Sequence, residues 1–205
     1  MDDVLTEFRN KFNVDVITIV KDLFQRSAAK EIYDEVRGKG LEIYALVNNA
    51  GQGQWGRFVE TDLERNLELI HLDIITPVSL TWYFLKDMIQ RNEGRILQVG
   101  SEVSKAPAPL LSVYAASKAF HLSFTEALIN EVKDTNVTLT LLMPGATDTD
   151  FFRKAEAEDT VNYREKELGS PEEVATDAFD ALMKGERRVV SGAKMHVAMS
   201  SGSEK

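Results

Sequence analysis

Cysteine is absent from the 205 residues. That excludes disulfides, thiolate metal sites and cysteine nucleophiles, and it points toward a reducing compartment. No apolar run approaches the ~20 residues a helix needs to cross a bilayer, and the opening MDDVLTEFRN lacks the basic-then-apolar order of a signal peptide. No membrane span and a cytoplasmic location are expected. Basic side chains are also in deficit, with 24 Lys and Arg against 33 Asp and Glu, a net charge of −9 and a pI near 4.9. Polyphosphate binding needs clustered cations, so no nucleic-acid partner is expected. Histidine occurs three times, as His71, His121 and His196, without metal-ligand spacing. No metal site is expected. The acidic group Asp148, Asp150, Glu156, Glu158 and Asp159 reads as a solvated loop, because nothing in its spacing fixes a ligand geometry.

What remains is an ordinary globular composition, 43% hydrophobic and 28% charged. No repeat or linker divides it, so residues 1–205 are expected to form one domain, with 199–205 as a flexible tail. Short β-branched runs at 14–20 (VDVITIV), 42–47, 94–99, 137–143 (VTLTLLM) and 187–191 read as buried strands. Helical patterns lie between them. One covers 27–38 and stops at Gly38 and Gly40; a long one covers 61–91, with Thr61 and Glu64 in capping-box spacing and a bend near Pro77. Others cover 113–134 and a segment from Ser170-Pro171-Glu172-Glu173 to Gly185, which opens on a Ser cap and a first-turn Pro. Such alternation predicts an α/β fold with a parallel sheet covered on both faces.

Gly51-Gln52-Gly53-Gln54-Trp55-Gly56 has the glycine spacing of a dinucleotide fingerprint, but the next helix signal comes only at Thr61. Without a helix N-terminus to receive pyrophosphate, the segment reads as a glycine-rich loop at a strand end. Just before it, Asn48-Asn49-Ala50-Gly51 combines two carboxamides that can hold a loop with small residues that let a flat ligand approach the main chain. Alone, it reads equally well as a turn. Tyr114 and Lys118 stand four apart, on one helix face, and Ser101 stands thirteen residues upstream at a strand end. Strand ends and the helices that follow them converge on one crevice in a parallel sheet. The chemistry is coherent: a nearby ammonium favours the phenolate and lowers a tyrosine from its usual ~10, while a serine hydroxyl can bond a substrate oxygen. Ser101 also reads as a simple turn cap. Pro144-Gly145 and Ala146-Thr147-Asp148-Thr149 follow the next strand.

In order and spacing these motifs resemble those of the short-chain dehydrogenases/reductases, over about residues 14–192. The resemblance implies a Rossmann-like doubly wound sheet, a nicotinamide cofactor (NAD or NADP), and hydride transfer between its ring and a small-molecule carbonyl or alcohol. It implies Tyr114 as acid in reduction and base in oxidation, Lys118 as the group that lowers its pKa and bonds the nicotinamide ribose, and Ser101 as the group orienting the substrate oxygen. Asn48, Asn49, Ala50 and Gly51 would line the adenosine and ribose side, and Asp22-Leu23 would meet adenine, although Asp22 also reads as a strand-end turn residue. Pro144, Gly145, Thr147 and Thr149 would pack around the nicotinamide. The loop 147–168 would close over substrate, with Phe151 and Phe152 suggesting a partly apolar one. A homodimer or homotetramer is implied as well.

Two departures stand out. Where the family usually has a catalytic asparagine this chain has Asp73, which is isosteric but, when ionised, only accepts hydrogen bonds and adds negative charge near Lys118. The glycine-rich turn that opens a complete member has no counterpart either, and DDVLTEFRNKF resembles the helix after the family's second strand. The chain is therefore expected to enter the fold about forty residues late, with the first strand-helix-strand unit of ~30 residues or more absent. In a 3-2-1-4-5-6 sheet this leaves strand 14–20 without its neighbour and exposes an edge at 42–47. The alternative expectation is a catalytically impaired remnant that acts as a binding or oligomerisation module through helices 61–91 and 113–134.

Overall fold

A computed structural model of the chain describes residues 2–155 and 168–192. The expected tail 199–205, His196, and the acidic residues Glu156, Glu158 and Asp159 lie outside the described residues. The elements are α1 (Asp2–Phe12), α2 (Ala28–Gly38), β1 (Ala45–Asn48), α3 (Leu63–Ile70), α4 (Thr76–Arg91), β2 (Gly94–Val99), α5 (Ser112–Glu131), β3 (Val137–Pro144), α6 (Phe151–Lys154), α7 (Pro171–Lys184) and β4 (Arg188–Ser191). The strands form one parallel sheet in the order β1-β2-β3-β4, with Leu139 opposite Ile96 and Leu142 opposite Val99. This is a Rossmann-like α/β architecture.

Period-two alternation assigns each strand residue to one of two cores. Ile96 and Leu139 point to one face, where Val36 of α2 and Phe84, Leu85 and Met88 of α4 cover them together with Val132. Leu97 and Leu142 point to the other, against Val174, Ala178 and Leu182 of α7. With helices on both faces, β2 and β3 are buried along nearly their whole length, as a parallel sheet requires. No helix among the described residues is long and apolar enough to cross a membrane.

Local chemistry sets the element ends. Ser170 accepts from the N–H groups of Glu172 and Glu173, Pro171 opens α7, and Gly185 closes it in the left-handed conformation at φ 69°. The cap of α3 is Asp62, one residue later than the Thr61 expectation: its carboxylate accepts from Glu64 N (2.8 Å) and Arg65 N (3.2 Å), and Thr61 turns back to Phe58 O. A carboxylate is the stronger acceptor and is favoured at the positive helix end. The expected single helix 61–91 is interrupted by a π turn, His71–Ile75, placed just before Pro77. Proline has no N–H to give to the carbonyl four residues back, so the wider turn forms there and the carbonyl of Asp73 goes elsewhere.

One expected strand does not form. Residues 14–20 pair with no strand, and Val14, Ile17 and Val20 are exposed. An extended run becomes a strand only through a ladder partner for its N–H and C=O groups, and none adjoins it among the described residues.

Candidate active site

A cleft of about 730 Å³ opens at the carboxyl ends of the strands. Ser101 and Tyr114 line it together with Lys118, and so do Asn49, Gly51, Pro144, Gly145, Thr147 and Thr149 from the strand-end loops. Asp22, Leu23, Asn48 and Ala50 do not. Asp22 closes a turn through Phe24 N (3.0 Å) and Gln25 Nε2 (3.1 Å), and the carbonyl of Leu23 accepts from Thr76 Oγ1. Asn48 is buried beneath the cleft, where its Nδ2 donates to Thr81 Oγ1 (2.9 Å) and Gln98 Oε1 (3.2 Å), tying β1 to α4 and β2.

Ser101 leaves β2 in extended backbone and caps the short turn 102–105. Its Oγ accepts from Val103 N, and Ser104 Oγ accepts from Ser101 N. The turn-cap role and the site role coincide in one side chain, because its hydroxyl also faces the Tyr114 phenol. Tyr114 and Lys118 project from the first turns of α5. Lys118 is 4% exposed, donates from Nζ to Val99 O (3.1 Å), and lies 3.9 Å from Asp73 Oδ2. Burial lowers the Lys118 pKa, against the attraction of Asp73.

The phenol of Tyr114 moves opposite to the expectation from sequence. Burial raises it well above the ordinary tyrosine range, the Ser101 hydroxyl acts to lower it, and Asp73 adds to the rise. Lys118 does not offset this: its Nζ stands over the ring face, 5.5 Å from the centroid, where it meets the π system more than the oxygen. In this state Tyr114 is a protonated donor.

Asp73, in the π turn, is 1% exposed. Oδ1 accepts from Gln52 N (3.1 Å), and Oδ2 lies 3.0 Å from Ser117 Oγ. Burial raises its pKa, and Lys118, Gln52, Ser117 and Arg65 counter the rise. Its freed carbonyl takes the Nε2–H of His121 at 2.6 Å. Burial first, then Lys118, lowers His121 to about 4, so the ring is neutral at pH 7 and can donate from Nε2. A Cβ at Gly51 would stand 3.1 Å from Lys118 Nζ and 3.4 Å from Asp73 Oδ1, so glycine keeps this corner of the site uncrowded.

The cleft also uses residues that were not foreseen. Trp55, in the glycine-rich loop, donates its backbone N–H to Ala155 O (2.9 Å) and packs against Ala146 and Ala155, as does Phe151, whose ring stands 4.8 Å from that of Tyr114. Only a three-residue 3-10 turn, Phe58–Glu60, lies between that loop and α3, which begins at Leu63, consistent with reading its glycine pattern as a loop. Ser117 escaped notice because its partner Asp73 lies 44 residues away. A tryptophan within the loop was the available signal for the apolar wall.

A family model described as short chain dehydrogenase matches residues 1–160. The very-long-chain 3-oxoacyl-CoA reductase of Anas platyrhynchos is 33% identical over 150 residues, which cover 70% of this chain and 47% of that protein. The 17-beta-hydroxysteroid dehydrogenase type 3 of Mus musculus is 37% identical over 138 residues, 65% of this chain and 44% of that protein. The chain thus spans about half the length of the curated relatives it matches. Among solved structures, a short-chain dehydrogenase from Sphingobium yanoikuyae in complex with NADPH superimposes with a TM-score of 0.84 at 26% identity, covering 92% of this chain and 72% of that one. A bulky-bulky ketone specific alcohol dehydrogenase from Comamonas testosteroni does so with a TM-score of 0.80 at 25% identity, covering 96% and 73%.

Proposed function

The chain belongs to the short-chain dehydrogenase family, and from that premise we propose that it is an oxidoreductase interconverting a carbonyl and an alcohol with NAD or NADP. The observation that carries this reading is the convergence of Ser101, Tyr114 and Lys118 on one largely apolar cleft at the strand ends. The likeness to a solved relative that binds NADPH supports the choice of cofactor class.

The residues at the inner end of the cleft suit a nicotinamide riboside. An ammonium has three protons, and Lys118 gives one to Val99. Gly51 leaves the main chain open beside it, and Asn49, Pro144, Gly145, Thr147 and Thr149 would hold the ring and its carboxamide. A nicotinamide dinucleotide held there would supply or accept the hydride. Tyr114 gives its proton to the carbonyl oxygen in reduction and takes it back in oxidation. Ser101 bonds the same oxygen and fixes its distance from the phenol. Phe151, Trp55 and Leu111 exclude water and favour a substrate with an apolar body. Among the described residues no glycine-rich turn opens onto a helix at the cleft, so cofactor affinity is measured directly.

The test titrates NADH and NADPH by fluorescence and follows their oxidation with a panel of ketones. Tyr114→Phe is expected to lower turnover ~10²–10⁴-fold, the usual worth of a general acid, with cofactor affinity unchanged within a few-fold. Full turnover in Tyr114→Phe would sink the reading. A second reading, an oligomerisation module, draws on Leu63, Leu67 and Trp82, which are exposed on α3 and α4. It would take over if no cofactor bound while the chain formed a dimer or tetramer.

A further inference from the structure

Ser117 has one hydroxyl proton and two acceptors in reach, Asp73 Oδ2 at 3.0 Å and the carbonyl oxygen of Tyr114 at 2.8 Å. If the proton goes to the carbonyl, a Ser117 lone pair meets Asp73 Oδ2 at hydrogen-bond distance, and two acceptors face each other in a site closed to water. A proton on Asp73 removes the conflict. We propose that Asp73 holds a proton at neutral pH and forms a positioning pair with Ser117: the carboxyl O–H donates to Ser117 Oγ, and the Ser117 O–H donates to the carbonyl of Tyr114.

The rest of the site accommodates this state. Oδ1 keeps its role as acceptor for Gln52 N, which a neutral carboxyl serves as well as a charged one. The charged and titratable groups around Asp73 are Lys118, Tyr114 and His121 from α5 and Arg65 from α3. Lys118 favours the ionised form, but it stands 3.9 Å off, beyond a hydrogen bond, and donates to Val99 O. Arg65 is engaged by Gln52 Oε1 and Glu68. His121 is neutral and meets only the main-chain carbonyl of Asp73. Burial at 1% exposure favours the uncharged carboxyl.

Held neutral, Asp73 presents one donor and one acceptor, as an asparagine side chain would, and it leaves Lys118 without a counter-charge. The consequence bears on the reaction proposed above, but the tests do not need turnover. Infrared difference spectra at neutral pH, on protein carrying ¹³C-carboxyl aspartate, are expected to show a protonated carboxyl stretch that Asp73→Asn removes. A carboxylate band alone at that position would overturn the proposal. Ser117→Ala gives an independent sign. If Ser117 accepts from the acid, its removal lets the carboxyl ionise at a pH lower by about one unit. If instead it donates to a carboxylate, removal moves ionisation upward, and an upward move or none overturns the proposal. In an active preparation Asp73→Asn is expected to remove the limb of the pH profile that Ser117→Ala shifts, and a Ser117-sensitive limb that survives in Asp73→Asn would overturn the proposal.

Discussion

Residues 14–20 (VDVITIV) and 137–143 (VTLTLLM) are both short, mainly apolar runs that read as strands, yet they stand in opposite surroundings. The second run lies between β2 and β4, with its backbone laddered on both sides and its side chains sorted into two cores. Residues 14–20 pair with no strand, and only Val16 and Ile19 are partly sheltered, Ile19 against the α2/α4 core. The difference teaches that β-propensity is a statement about fit to neighbours. A run with strand-like character is a strand where ladders and faces are supplied and bare chain where they are not.

The largest effect should come from the laddered run. Leu139 is 2% exposed, and Leu139→Ala is expected to cost about 2–5 kcal/mol, combining lost transfer energy with the cavity left behind. Urea unfolding at constant m-value checks it. A cost under about 1 kcal/mol would break the contrast with residues 14–20. Buried polar groups extend the comparison. His121 titrates near 4 in the folded chain against ~6.5 unfolded, so its contribution is fully present above pH 6.5 and is lost as pH falls from 6.5 through 4, about 3 kcal/mol in all. His121→Gln, which keeps a donor for Asp73 O, should flatten that slope in melts run between those pH values.

Much of this contrast was legible in the chain. β2 and α7 were visible almost to the residue, because a glycine-bounded apolar run and a Ser-Pro-Glu-Glu cap are local signals. Ser101, Tyr114 and Lys118 were legible because strand ends and helix starts converge by topology. The Asp73 network was not. The π turn before Pro77 that frees the Asp73 carbonyl is local, but its partner His121, and the pairing of Ser117 with the Asp73 carboxyl, depend on how α5 packs against that turn. The direction of the Tyr114 shift was missed for a related reason: spacing places an ammonium near a phenol but does not say how deeply both are buried.

Asn48 tests the middle of the comparison, since β1 is laddered to β2 and, among the described residues, to no other strand. Read from sequence as a ligand-lining residue, it instead serves Thr81 and Gln98 inside the fold. Asn48→Ala should cost about 1–3 kcal/mol, because Gln98 Oε1 loses a buried donor. If the mutation instead spared stability and weakened nicotinamide binding, the ligand reading would return.

The smallest effect sharpens the comparison most. Ile17 is 51% exposed in a run with no ladder, so Ile17→Thr removes little buried surface and no strand pairing. Its expected effect on stability lies within about 0.5 kcal/mol, as for other surface sites. At Leu139 a packed core and the ladder to Ile96 both register a change; at Ile17 neither is present to register it. Exposed β-branched residues such as Val20, 75% exposed, are nonetheless free to pair with another chain. Ile17→Thr should therefore leave the melting curve in place and raise the concentration at which light scattering detects association. A loss of stability comparable to that of Leu139→Ala would mean that residues 14–20 are packed in solution, and the two runs would no longer be opposites.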